Sequence, residues 1–223
     1  MTMTIGRRPR PAKIKAITEA ATAAFLADGY EGASLDHIAA RAGVSKQTIY
    51  NHFADKESLF RAICADLTTD LMTSLRPEPG LQANPSATLR RLGQAYLDLA
   101  LRPSSLALHR LIIGETARFP ELGRAIYRTG PARVVAELAD YLDQQTKAER
   151  LHVADPQAAA EQFLGMLLGH HQLRALLGVA VTDRAAAARR VDSAVEAFLR
   201  AYAADDVPGS SRPRAERRRP HSR

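Results

Sequence analysis

Between Gly43 and Phe60 the chain reads GVSKQTIYNHFADKESLF, and polar side chains crowd around two apolar positions in it. A helix starting after Ser45 buries Ile49 and Phe53 and turns Lys46, Gln47, Thr48, Tyr50, Asn51 and His52 outward. These groups donate and accept hydrogen bonds, and none is a nucleophile paired with a base. The chemistry on offer is recognition of a polar, anionic surface, and the surface that suits such a helix is DNA. Just upstream, Ser34 is placed to cap a short helix whose Leu35, Ile38 and Ala39 share one face, and Gly43 is placed to end it in a tight turn. Helix, turn and polar-faced helix make a helix-turn-helix, whose second helix lies in the major groove.

Enzyme readings fail for lack of parts: the sequence has no Gly-rich phosphate loop, no nucleophile elbow, no HExxH and no cysteine cluster. The histidines are not at metal-ligand spacing, since His170 and His171 are adjacent and diverge on a helix while His109 and His152 stand alone, so neither a metal nor another cofactor is expected. Cys64, the single cysteine, follows Phe60 and Ile63 at helical spacing and reads as core filler, with a redox sensor as the alternative.

The elements that position this face are predicted to be helices throughout. Ala and Leu dominate, tryptophan is absent, and period-two alternation is hard to find, which gives an all-α fold of about ten helices. The first spans Ala12 to Ala27 and ends at Gly29; the second and third run from Ser34 to Ala42 and from Ser45 to His52 or Phe53. A fourth begins after Asp55 and is stopped by Pro77 and Pro79, and residues 76–86 form the main internal linker. Beyond it, helices are expected over 86–101, 104–118, 120–129, from Pro131, over 155–177, and from Thr182 or Asp183 to about Ala204. The domain division is a basic arm over 1–11, a DNA-binding unit over 12–60, a larger helical unit over 61–206 and a basic tail over 207–223.

Charge is uneven. The two ends, 1–15 and 207–223, carry +5 each of the net +7, which leaves −3 for residues 16–206. A mildly acidic body argues against a protein that coats DNA without regard to sequence, although two basic arms keep that alternative open. Arg7, Arg8 and Arg10 directly precede the first helix and are candidates for the adjacent minor groove, the competing reading being a solvated tail. The first residues lack the apolar core of a signal peptide, and no apolar run is long enough to span a membrane, so the expectation is a cytoplasmic protein without a membrane partner.

The segment SLDHIAARAGVSKQTIYNHFADKESLF closely resembles the DNA-binding domain of TetR-type transcriptional regulators, with Phe25, Gly29, Ile38, Ala39, Gly43, Val44, Tyr50, Phe53, Lys56 and Leu59 at matching spacing. The segment RLIIGETARFPELGRAIYRTGPARVVAELADYL from Arg110 is similar to the ligand-binding domain of the AcrR and AefR-like branch. The resemblance implies that Ser45, Tyr50, His52 and Lys56 hold phosphates, while Lys46, Gln47, Thr48 and Asn51 touch base edges, with Ser34 at the margin of the same face. It departs from the commoner family pattern at Gln47 and Asn51.

The resemblance further implies a homodimer on a near-palindromic operator, paired through the helices near 155–177 and 182–204, where Gly165 and Gly169 allow close approach. It implies an effector site in the middle helices for a small, apolar molecule that releases a repressor from DNA; an activator of the same fold is the alternative output. Candidate walls are Leu97, Leu101, Leu108, Ile112, Phe119, Ile126, Tyr127 and Met166, with His109, Glu115 and His170 as polar anchors. Intrachain core is the competing reading of each of these residues.

Overall fold

The computed structural model describes residues 12–73, 84–179 and 183–204, and these form ten helices. They are α1 (Ala12–Gly32), α2 (Leu35–Ala42), α3 (Lys46–Tyr50), α4 (Lys56–Thr73), α5 (Pro85–Ala100), α6 (Pro103–Glu115), α7 (Pro120–Thr129), α8 (Pro131–Lys147), α9 (Pro156–Leu176) and α10 (Arg184–Tyr202). The only β-type pairing among the described residues is one isolated antiparallel bridge, Leu151 with Ala203. Arg7, Arg8, Arg10, most of the expected linker and the tail from 207 lie outside the described residues. No helix among those described is long and apolar enough to cross a membrane.

Local chemistry sets the helix starts. Each helix from α5 to α9 begins with proline, whose fixed φ suits the first turn and whose missing N–H is not needed there. Asn84, Asp155 and Asp183 cap their helices by accepting from the backbone N–H three residues on, contacts worth about 1 kcal/mol each.

Three boundaries differ from the periodicity. In α1 the helical path breaks at Gly29 (φ 74°, ψ 174°), as expected, but a further turn continues to Gly32. In α3 the helix stops at Tyr50, because the Asn51 and His52 N–H groups already close onto Gln47 and Ile49 in a tightened last turn. In α9 Gly169 takes φ 38° and ψ −135°, so the expected continuous helix is two segments. Arg190 of α10 donates to the Met166 carbonyl at 2.9 Å beside that break. A Cβ at Gly165 meets nothing within 4 Å, which places this glycine on an open face rather than at an intrachain crossing.

Two apolar clusters hold the helices together. One unites Leu92 and Leu97 of α5, Leu138 and Leu142 of α8, Phe163 and Leu167 of α9, and Val195 and Phe198 of α10. The other joins Phe25 of α1, Ile38 of α2, Ile49 of α3 and Phe60 of α4 to Leu108 of α6 and Leu122 and Ile126 of α7. A boundary at residue 60 therefore cuts through a core. Phe60, Ile63 and Cys64 lie a turn apart on α4, and all three are buried in the cluster that reaches α6 and α7.

Candidate nucleic-acid interface and effector cavity

The turn between α2 and α3 is fixed by its own caps. Ser34 Oγ accepts from the His37 N–H at 3.1 Å, and Gly43, at φ 64°, turns its N–H back onto the Ala39 and Ala40 carbonyls. Ser45 Oγ accepts from the Thr48 N–H at 3.1 Å and lies 2.9 Å from the Thr48 hydroxyl. Ile49 (0% exposed) and Phe53 (8%) anchor α3. The opposite face is open: Lys46, Gln47, Tyr50, Asn51 and His52 are exposed and Thr48 is half-buried. Gln47 and Asn51, one turn apart, are already coupled by a 3.1 Å hydrogen bond from Nε2 to Oδ1. Lys46 Nζ donates to Asp36 at 2.9 Å, an exposed pair readily exchanged for a nucleic-acid acceptor.

Lys56, expected to hold a phosphate, has its ammonium on backbone and aromatic partners. Nζ donates to the Glu31 and Ala33 carbonyls at 3.0 and 3.2 Å and lies 4.8 Å above the Tyr30 ring. The carbonyls around the carboxyl end of α1 lack helical partners and sit at the negative end of its dipole, so a cation belongs there. Burial draws the Lys56 ammonium below its usual pKa, with Glu31 and Glu115 opposing that shift. The amino end of α4 is instead closed by a reciprocal cap, in which Asp55 Oδ1 accepts from the Ser58 N–H and Ser58 Oγ accepts from the Asp55 N–H.

The same corner is where α6 reaches the helix-turn-helix. Glu115 Oε1 accepts from the Tyr30 N–H at 3.3 Å, Arg118 pairs with Glu31, and Phe119 packs edge-on against Tyr30 with ring centroids 5.4 Å apart. Burial first, then Glu57 and Asp55, push the Tyr30 hydroxyl up to about 12. Glu115 and Phe119, expected as walls or anchors of an effector site, are parts of this junction. Glu115 ends α6 and Phe119 precedes α7, and neither lines the cavity.

That cavity, about 340 Å³, lies between α4 to α9. Leu108, His109, Ile112, Ile126 and Tyr127 line it, as the helical spacing suggested. Leu97 does not: it is 1% exposed and faces the α8 to α10 cluster, to which Leu101 also packs. Met166 borders a separate groove of about 320 Å³ between α9 and α10, with Arg190, Ser193 and Ala197. His170, placed past the Gly169 break, is exposed. A stripe of apolar residues marks a buried face without saying which neighbour it meets, and that ambiguity covers Leu97, Leu101 and Met166.

The sequence reading missed Tyr96, Leu99, Ser105, Leu168 and Gln172 in the cavity wall. Ser105 was findable, since it stands four residues before His109 and so shares its helix face. Cys64 also touches the cavity; burial pushes its thiol up to about 12, which keeps it protonated and inert and favours the packing role over redox sensing.

A family model described as bacterial regulatory proteins of the tetR family matches residues 17–63, and another, described as the C-terminal domain of AefR-like transcriptional repressors, matches residues 87–204. The chain belongs to the TetR family. A crystal structure of a TetR-family regulator from Mesorhizobium loti superimposes with a TM-score of 0.73 at 34% identity, covering 86% of this chain and 96% of that one. The flavonoid-responsive regulator FrrA gives a TM-score of 0.70 at 34% identity, over 86% of this chain and 97% of its own. Among curated relatives, the transcriptional activator FasR of Mycolicibacterium smegmatis is 33% identical over 92 residues, 41% of this TetR-family chain and 42% of FasR. The transcriptional repressor SCO4008 of Streptomyces coelicolor is 38% identical over 73 residues, 33% of this chain and 38% of that one. The chain thus spans less than half the length of these curated relatives.

Proposed function

We propose that the protein is a homodimeric, sequence-specific DNA-binding repressor released from its operator by a small molecule held in the cavity between α4 to α9. The observation that carries the DNA reading is the double-capped α3, anchored by Ile49 and Phe53, with its other face open and polar. Gln47 and Asn51 are suited to adenine, Lys46 to guanine and the Thr48 methyl to thymine. Ser34, Ser45, Tyr50 and His52 serve phosphates around them, and Arg7, Arg8 and Arg10 the flanking minor groove. Selection of bound sequences from a random DNA pool tests this, with a near-palindromic site as the expected product. Gln47→Ala and Thr48→Ala should each relax base preference, lowering discrimination by about 1–3 kcal/mol at the affected position. Equal losses on selected and random DNA would remove the base-reading assignment.

One recognition helix covers too few base pairs for selectivity, so two copies must act together. The outward faces of α9 and α10 suit the pairing: Gly165, Ser193, Ala197 and Ala201 are small and exposed, and the groove at Met166 offers a recess for a partner's side chain. Ala197→Glu is expected to convert a dimer to a monomer in light scattering at micromolar concentration. An unchanged mass would place the interface elsewhere.

Effector control follows from α6, which lines the cavity with Ser105, Leu108, His109 and Ile112 and meets the Tyr30 corner through Glu115. A ligand that shifts α6 biases the spacing of the two helix-turn-helix units. Repression is favoured over activation because the model matching most of the chain describes repressors. The flavonoid response in the name of a structural neighbour supports an effector with an aromatic or other apolar body.

A further inference from the structure

The cavity wall has a marked chemical bias. The described residues that line it include no Asp, Glu, Lys or Arg. The nearest charged side chains of α6 are engaged elsewhere, Arg110 with the Ala175 and Leu176 carbonyls at 2.6 and 2.7 Å and Glu115 with the Tyr30 N–H. Tyr127, 59% exposed, marks the side open to solvent.

Within this apolar wall one fully enclosed polar atom is left over. Ser105 is 6% exposed, yet its Oγ has no hydrogen-bond partner in the protein. Its place in the first turn of α6 explains why: a serine deeper in a helix can donate to the carbonyl four residues back, but here that residue is Leu101, which caps α5. A buried, unpaired hydroxyl is costly to the folded state and gains when a partner arrives. One turn on, His109 has the Ser105 backbone as hydrogen-bond partner, and burial draws its pKa below the usual value. A neutral ring that donates from one nitrogen offers the other as an acceptor.

We propose that the cavity selects an uncharged molecule with an apolar body and one hydroxyl group, which accepts from Ser105 Oγ and donates to the free ring nitrogen of His109, and that it rejects carboxylates and ammonium ions. This rests on the effector reading above. An ionised head group brought into this wall has no counter-charge among the described residues, and an unpaired buried charge is penalised by several kcal/mol.

Four probes with one aromatic body separate the possibilities: naphthol, naphthoate, naphthylmethylammonium and naphthalene, each titrated against the full chain at neutral pH by calorimetry. Naphthol is expected to bind at least about a hundredfold more tightly than either ion. Ser105→Ala should weaken naphthol about tenfold while leaving naphthalene unchanged, one hydrogen bond being lost and no apolar contact. This variant removes an unpaired buried group, so its melting temperature should hold or rise. Ile112→Trp narrows the cavity and serves as the control on location. Naphthoate or the ammonium probe binding as tightly as naphthol, with binding abolished by Ile112→Trp, would overturn the selectivity while leaving the effector site in place. An undiminished naphthol affinity in Ser105→Ala would overturn the anchor. No binding by any probe, or binding indifferent to Ile112→Trp, would remove the effector cavity itself and the proposal with it.

Discussion

Phe60→Ala is expected to destabilise the chain by about 3–5 kcal/mol and to lower its melting temperature on the order of 10 °C. Phe60 is fully buried, with the Phe25 ring edge-on at 4.8 Å and the Tyr30 ring edge-on at 5.6 Å. Truncation leaves a cavity where three aromatic rings meet, and the neighbours cannot close it, because Tyr30 is also held by Lys56 and Phe119. The same cluster contains Leu108, Leu122 and Ile126, so the loss is felt on both sides of the sequence-based domain boundary. Circular dichroism should show one transition moving as a unit. A loss under about 1 kcal/mol, or a helix-turn-helix that melts alone while the rest stays folded, would mean the two parts do not share a core.

Glu115→Ala is expected to separate ligand binding from DNA release. Glu115 Oε1 is the acceptor for the Tyr30 N–H and lies 3.5 Å from the point where a Cβ at Gly29 would sit, so the carboxylate is seated on the α1 corner. It stands at the carboxyl end of the helix whose earlier turns line the cavity. Without it, ligand affinity should change less than about threefold, whereas the effect of ligand on DNA affinity, 5–150-fold in typical coupled systems, should fall to a few-fold at most. Glu115→Gln retains an acceptor and should keep most of the coupling, which distinguishes a hydrogen-bonded link from a charge effect. Full ligand response in Glu115→Ala, read by DNA binding with and without effector, would route the signal through another contact.

The all-helical fold, the order of the helices and the open polar face of α3 were legible because each rests on local rules. Caps at Ser34, Ser45 and Asp155, prolines at helix starts and the burial of Ile49 and Phe53 depend on near neighbours, and the structure repeats them. The partners of Lys56 were not legible, because the carbonyls of Glu31 and Ala33 are more than twenty residues away in sequence and are backbone atoms that carry no signature. The cavity was half legible for a related reason. Ile112 and Leu97 are both apolar at helical spacing, and only the packing of α5 against α8 to α10 sends Leu97 into a core while Ile112 borders a void. Ser105 was passed over because a serine near a helix start is ordinary, and its orphaned hydroxyl is a property of three-dimensional enclosure.

The break at Gly169 divides α9 into segments that answer to different masters. Before it, Phe163, Leu164 and Leu167 are buried in the cluster shared with α10, and Leu168, next to the break, borders both that cluster and the cavity. After it, Gln172 faces the cavity, and the Ala175 and Leu176 carbonyls are hooked by Arg110. An unbroken rod would transmit every tilt of its far end along its whole length. The break interrupts that path, and under the proposed function it would let the cavity wall adjust to an occupant with less movement of the face proposed for a second copy. On that proposal pairing and sensing are mechanically separated within one helix, which leaves α6 as the route from the cavity to the helix-turn-helix.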